Sequence, residues 1–259
     1  MEIAENIEKR TPPVFDFEAI FKKYPTEYEE SMNTVLVQEV IRYNRLLKIM
    51  ATSLVQVKKA LKGEVVMSEE LETMAKNLNE NKVPNLWIPT SFLSMKPLSS
   101  WIEDLNQRIV FLNDWINNGT PKVFWISGFF FPQAFITGML QNFARKHTIA
   151  IDKLAFDFKF LDDITYKDIK EKPEDGCYIY GMFIEGARWD LENHRLTESL
   201  PKELYTDIPM LWLMPKEDRV PPKTGVYNCP IYKVLSRRGT LSTTGHSTNF
   251  VMYMELPSQ

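Results

Sequence analysis

The apolar residues between positions 36 and 61 recur at alternating intervals of four and three, and this spacing constrains the fold more than any other feature. The residues at these positions are Leu36, Val40, Tyr43, Leu47, Met50, Leu54, Val57 and Leu61. The repeat is the heptad of an α-helix, and a helix carrying such a stripe must cover it by packing. A second stripe (Val37, Ile41, Ala51, Val55) widens the apolar face beyond a two-stranded seam. We therefore predict packing on other helices of the same chain, with a coiled-coil scaffold that uses the 36–61 seam as the alternative.

Signals for helix ends place further helices on either side of this one. The long helix begins near Glu29 and Glu30 and ends before Gly63, which suits a left-handed C-terminal residue. A short helix is predicted near 16–24, and others over 68–78 and 132–146. Ser100 and Glu103 have the spacing of a capping box, which predicts a helix that runs from there to Gly119.

The periodicity changes from helix to strand near residue 149. Residues 154–160 alternate between apolar and polar, which is typical of a half-buried strand. Further strands are predicted over 177–184, 210–214, 231–235 and 249–256, with turns such as 173–176 between them. We predict an α+β fold, in which an N-terminal helical bundle is followed by an antiparallel β-sheet or incomplete β-barrel. The predicted parts are a connector with a short helix (1–30), a helical subdomain (31–148) and a β-barrel-like subdomain (149–259).

Composition excludes several classes of partner. The 259 residues carry a net charge of −3, so nothing indicates a nucleic acid or an anionic membrane as partner. The most apolar stretch, 123–140, is interrupted by Ser127, Gly128, Pro132 and Gln133, so no membrane span is predicted. Two cysteines are too few for a disulfide framework. We expect a soluble intracellular protein that binds neither nucleic acid nor membrane.

Residues suited to catalysis or cofactor binding are scarce. Gly239 to Ser247 resembles a phosphate-binding loop, but five residues separate the glycines and His246 replaces the lysine. A free-standing ligand- or nucleotide-binding β-barrel that uses the 237–250 loop is therefore only an alternative. A zinc site from Cys177, Cys229 and a histidine lacks the usual ligand spacing. We predict no catalytic, cofactor-binding or metal residues, and expect both cysteines to be buried on strands.

The residue types that remain indicate binding to protein. Arg188, Trp189, Arg237 and Arg238 are of the types that are enriched at protein interfaces. We predict these four residues as candidate interface residues.

Four segments of the sequence resemble the C-terminal region of axonemal dynein heavy chains, the AAA+ microtubule motors of cilia. They are Glu30–Glu39, Trp125–Arg145 with its Gly128-Phe-Phe-Phe, Tyr180–Asp190 and Arg237–Phe250. The resemblance implies a structural and regulatory module that packs on the AAA+ ring of its own heavy chain and has no catalysis of its own. The helical subdomain (31–148) would include the end of the last AAA+ module together with helices of the C-terminal domain.

The resemblance also implies the setting of the parent molecule. ATP and Mg would be cofactors of the parent motor, and its partners would be dynein intermediate and light chains and microtubules. The location would be the cytoplasm, cytoskeleton and ciliary axoneme. The chain is expected to be a fragment or short isoform, and the family's further C-terminal segment, if absent, would leave the barrel with an open edge.

Overall fold

A computed structural model describes residues 1–235 and 249–258 of the chain. The chain divides into two compact units. The first comprises Met1–Thr26 and Leu36–Gly119, and the second comprises Glu27–Val35 and Thr120–Gln259. The predicted domain boundaries at 30/31 and 148/149 differ from these limits and stay a prediction.

Helices build the first unit. They are α1 (Glu2–Arg10), α2 (Phe17–Lys23), α3 (Ser31–Leu61, whose first five residues belong to the second unit), α4 (Glu69–Asn79) and α5 (Leu98–Asn118). Helix α1 is additional to the single short helix predicted in this region; it ends before Pro12 and Pro13 and buries Ala4 and Ile7. Asp16 and Ser68 cap α2 and α4 by accepting hydrogen bonds from Ala19 N and Leu71 N.

The predicted capping box at Ser100 is wrong. Helix α5 begins at Leu98 with Pro97 in the capping position and no side-chain cap. Since Pro97 has a fixed φ of −63°, it leads the chain into the helix three residues earlier than the predicted serine cap would. The helix ends before Gly119, as predicted, where φ is +87°.

The heptad stripe of α3 is used for packing inside the chain. Seven of its eight residues are at most 1% exposed, and Leu61 at the helix end is 47% exposed. Two contacts of the buried face show its neighbours: Asn44 exchanges hydrogen bonds with the backbone of Phe15, and Ser53 accepts one from the Trp87 indole at 2.9 Å. The prediction of intramolecular packing is confirmed, and the alternative of a coiled-coil scaffold receives no support.

A charged network is buried beside this stripe. Arg108 donates to Asp104 at 3.2 Å, and both side chains are 5% exposed. The Arg108 guanidinium lies 3.9 Å from the centre of the Phe92 ring. Burial raises the pKa of Tyr43 well above its usual range, although the nearby Arg108 opposes the shift. The network therefore consists of paired charges, as buried charges require.

The second unit contains α6 and all the strands. Helix α6 spans Pro132–His147, and the strands are β1 (Val123–Trp125), β2 (Leu154–Leu161), β3 (Cys177–Tyr180), β4 (Phe183–Glu185), β5 (Ala187–Asp190), β6 (Arg195–Glu198), β7 (Tyr205–Asp207), β8 (Met210–Glu217), β9 (Val226–Tyr232) and β10 (Phe250–Pro257). One sheet has the order β1-β3-β8-β2, a second has the order β10-β9-β4-β7, and β5 and β6 form a two-stranded ribbon.

The predicted α+β class with antiparallel sheets is confirmed, and among the described residues the sheets do not close into a barrel. One pairing departs from the prediction, because β1 runs parallel to β3 with Phe124 opposite Ile179. The connection between these two strands contains α6 and β2, which is long enough for a parallel arrangement. The predicted strand over 177–184 is divided at Gly181, whose φ of +80° interrupts the ladder.

Position 181 must be a glycine, because it lies against the aromatic segment 125–131 that precedes α6. A Cβ atom at this position would lie 2.5 Å from Cδ1 of Trp125. In the same segment Ser127 donates to the carbonyls of Gly181 and Lys233. The buried Lys233 donates to the carbonyls of Phe129 (3.1 Å) and Phe130 (2.6 Å), which ties this segment to the end of β9.

Candidate interface

The candidate site is the β5–β6 ribbon, which carries two of the four predicted interface residues. Strand register places Arg188 opposite Thr197, Trp189 opposite Leu196 and Asp190 opposite Arg195. Because side chains alternate between the faces of a strand, Trp189 and Leu196 share one face. Arg188, Asp190, Arg195 and Thr197 share the other face, which we call the arginine face.

Trp189 attaches the ribbon to the first sheet. Its ring stacks on Phe160 of β2 with centroids 4.0 Å apart and an interplanar angle of 21°. Trp189 and Leu196 are each 7% exposed. The indole Nε1 is buried and has no acceptor among the described residues. The tryptophan thus acts as a packing residue within the unit, and its predicted contact with a partner stays a prediction.

The carboxylate on the arginine face is occupied by the hairpin turn. Asp190 accepts from Glu192 N at 3.0 Å and from Asn193 Nδ2 at 2.8 Å. The hydrogen bond from the Asn193 side chain is the largest of several causes that lower the pKa of Asp190, and the charge of Arg188 is a smaller one. The carboxylate therefore stays ionised while it stabilises the turn, and it does not form a salt bridge with either arginine of this face.

Arg188 and Arg195 are left without a hydrogen bond or an ion pair within the described parts of the chain. Both residues are partly exposed, and the Nε of each is buried without an acceptor. They are diagonal neighbours across the ribbon, a relation that places side chains roughly 7–8 Å apart at the backbone. Two guanidinium groups at this spacing can bind carboxylates of a partner, because each presents several donors in a planar fork.

Sequence reasoning missed Arg195 as a member of this site. The alternation of Arg195-Leu-Thr-Glu198 is a strand pattern, but it is only four residues long. Arg195 could have been found by predicting a hairpin between Asp190 and Arg195. A turn of the four residues between them places these two residues opposite each other.

The other predicted interface residues, Arg237 and Arg238, lie outside the described residues, as do residues 237–248 of the alternative ligand-binding loop. Cys177 and Cys229 are free thiols, 2% exposed, on strands of different sheets, as predicted for buried strand residues. Burial raises the pKa of both thiols, that of Cys229 to about 11. Within residues 1–235 and 249–258 no group of three His, Cys, Asp or Glu side chains is suited to hold a metal ion.

A family of known proteins matches the whole chain. The match covers residues 1–259, and the family is described as the C-terminal domain of the dynein heavy chain. The protein belongs to this family. The match is to the C-terminal domain of these proteins and not to the AAA ATPase module.

Individual relatives agree with this assignment. The chain is 56% identical to mouse dynein axonemal heavy chain 1 over 257 residues, which is 99% of the chain and 6% of that protein. It is 49% identical to human dynein axonemal heavy chain 3 over 257 residues, again 99% of the chain and 6% of the relative. Mouse dynein axonemal heavy chain 12 is 50% identical over 256 residues, 99% of the chain and 8% of the relative. The predicted membership of the axonemal dynein family is confirmed, and the chain spans only a small fraction of these relatives.

None of the helices among the described residues of this dynein domain is both long and apolar enough to cross a membrane.

Proposed function

We propose that the protein is the structural and regulatory C-terminal module of an axonemal dynein heavy chain. In this role it packs on the AAA+ ring of its own heavy chain and tunes ATP-driven movement along microtubules in cilia and flagella. The observation that carries the proposal is the match to the C-terminal domain family over residues 1–259, with axonemal relatives at about half identity. The module itself performs no catalysis.

The chemistry belongs to the parent molecule in this proposal. ATP and Mg bind to the AAA+ modules of the parent, and the intermediate chains, light chains and microtubules are partners of the whole complex. The location is the cytoskeleton of the ciliary axoneme, which the names of the relatives imply.

The arginine face of the β5–β6 ribbon is our candidate for the contact with the ring. Two features support it: neither guanidinium makes a hydrogen bond or a salt bridge within the described residues, and stacking of Trp189 on Phe160 holds the ribbon in place. Arginines without hydrogen bonds inside the protein can form charge-assisted hydrogen bonds with a partner without first breaking internal ones.

The test uses the parent motor with the double substitution Arg188→Glu and Arg195→Glu. Microtubule gliding velocity and microtubule-stimulated ATPase rate are measured together, because a regulatory contact changes the ratio of the two. We expect the ratio to change by about fivefold, the lower end of a typical coupling between sites. A motor lacking the whole module should show a change in the same direction.

The matched control is Lys172→Glu with Lys223→Glu, which alters charge equally at two exposed lysines of the same unit. We expect this control motor to behave as the unaltered one. An unchanged ratio in both the module deletion and the arginine variant would overturn the regulatory role. A change in the deletion alone would retain the role and reject the arginine face.

A further inference from the structure

A cleft in the second unit, separate from the arginine face, combines aromatic rings, apolar side chains and one carboxylate. Its volume is about 330 Å³, and it is open to solvent. The side chains that define it are Tyr166, Tyr180, Met182, Asp207, Ile208 and Met210. The two tyrosine rings are stacked with centroids 4.3 Å apart and an interplanar angle of 4°.

Asp207 is the one acidic residue that lines this cleft in the described part of the chain. It lies at the end of edge strand β7, opposite Phe183 of β4. No described residue makes a hydrogen bond or an ion pair with its carboxylate, and the residue is exposed enough for a ligand to reach it. Desolvation raises the pKa of the carboxyl, which agrees with its position against apolar side chains.

The stacked rings of Tyr166 and Tyr180 add a surface that can bind a cation, although they carry no charge themselves. Burial raises the pKa of Tyr180 to about 12, so the phenol is neutral at physiological pH. The face of a tyrosine ring attracts an ammonium or guanidinium group. The Tyr166 ring already has one such neighbour, since the Lys167 ammonium lies 5.8 Å from its centre, although Lys167 does not itself line the cleft.

We propose that this cleft binds a basic side chain, lysine or arginine, of a partner protein. The methylene groups of such a side chain would pack on Met182, Ile208 and Met210, and its charged end would pair with Asp207 beside the tyrosine rings. This division suits lysine and arginine, since both carry an aliphatic stem below a charged head. The inference does not depend on the arginine face or on the proposed packing against the ring.

The test observes the methyl groups of the two methionines in the cleft. The sequence contains twelve methionines, and labelling of their terminal methyl carbons with ¹³C gives one NMR signal for each. Met182→Leu and Met210→Leu variants assign the two signals. The 259-residue protein is titrated with the pentapeptide acetyl-Ala-Ala-Lys-Ala-Ala-amide, with its arginine counterpart, and with a norleucine counterpart that lacks only the charge.

We expect a saturable shift of the Met182 and Met210 signals with the lysine peptide, the arginine peptide or both, and none with the norleucine peptide. The peptide that binds identifies which base the cleft prefers. Affinity should be millimolar, because one partly exposed ion pair with a short stem contributes weakly. Asp207→Asn keeps the shape of the side chain and should weaken binding by about fivefold or more.

The matched control is Asp152→Asn, which removes the same charge at an exposed position outside the cleft and should leave binding unchanged. The other ten methionine signals report whether each variant retains its fold. The proposal is overturned if neither basic peptide gives a saturable shift up to about 20 mM. Equal binding of the norleucine peptide, or unchanged binding to Asp207→Asn, would overturn it as well.

Discussion

Gly176 lies where two strands approach more closely than a side chain allows, and Gly176→Ala should reveal this constraint. The residue ends the predicted 173–176 turn and leads into β3, with a φ of +77°. A Cβ atom there would lie 1.9 Å from the carbonyl oxygen of Leu213 and 3.0 Å from Cδ of Pro215, both on β8. The obstacle is backbone, so rotation of a side chain cannot relieve it.

Two contributions determine the expected loss of stability. Placing alanine in the left-handed region costs about 1 kcal/mol relative to glycine. Restoring an ordinary contact of 3.4 Å requires the strands to separate by about 1.5 Å, which is a severe case of overpacking and costs roughly 1–3 kcal/mol. The same displacement weakens the pairing of Cys177 with Leu213. We expect a total loss of about 3 kcal/mol in the free energy of unfolding of the second unit.

Gly225→Ala is the matched control. Gly225 belongs to the same unit, has a φ of +74° and has no atom within 4 Å of the position of a Cβ. It therefore carries only the backbone contribution of about 1 kcal/mol.

Both cysteines report on the second unit alone, which suits a protein of two units that need not unfold together. Cys177 and Cys229 are the only cysteines of the sequence, and both are buried in strands of this unit. Their protection from a pulse of thiol reagent, measured over a range of urea concentrations, gives the free energy of unfolding of this unit. The reasoning is refuted if Gly176→Ala and Gly225→Ala differ by less than about 0.5 kcal/mol.

Two further predictions follow from burial and charge. Leu47→Asp places a carboxylate at a position that is 1% exposed, so it should lower the free energy of unfolding of the first unit by more than about 3 kcal/mol, measured by urea-induced loss of helical circular dichroism. Ile41→Asp on the same helix is the control, since Ile41 is 49% exposed; a folded Leu47→Asp variant of normal stability would contradict intramolecular packing of the stripe. Hydrogen bonds from Lys146 and, to a smaller extent, from His147 lower the pKa of Asp175 in the folded state. The ionised carboxylate therefore stabilises the folded state at pH values above the unfolded pKa of 3.8. This stabilisation is lost as the pH falls through the lower pKa of the folded state. Asp175→Asn should therefore cost less than about 1 kcal/mol at pH 7, and the cost should shrink as the pH falls below 3.8. Urea denaturation followed by intrinsic fluorescence at each pH measures it, and a cost that is the same at pH 7 and at the lowest pH would contradict the charge argument.

Local patterns were sufficient for most of the helices and for the long strands β2, β8 and β10, whereas the strand predicted over 231–235 shares only two residues with β9. The heptad spacing of α3 and the alternation in β2 arise from residues close in sequence, so they identify the element and its buried face without knowledge of the partner. Short strands such as β1 and β7 have three residues each and carry too little periodicity to be recognised. Helix α1 was missed for a similar reason, because it buries only two residues.

The candidate site was likewise predicted only in part from the sequence. The sequence alone determined the residue types at 188 and 189 and, through four matching segments, the family to which the protein belongs. Only the tertiary structure decided that Trp189 stacks on Phe160 and that Arg195 joins Arg188 on the arginine face. It also decided that Tyr166, Tyr180 and Asp207 line the same cleft. The physical reason is that periodicity is a property of neighbouring residues. These arrangements depend instead on strand register and on contacts between residues far apart in the sequence. Many sequences with the same local pattern could form different contacts of this kind.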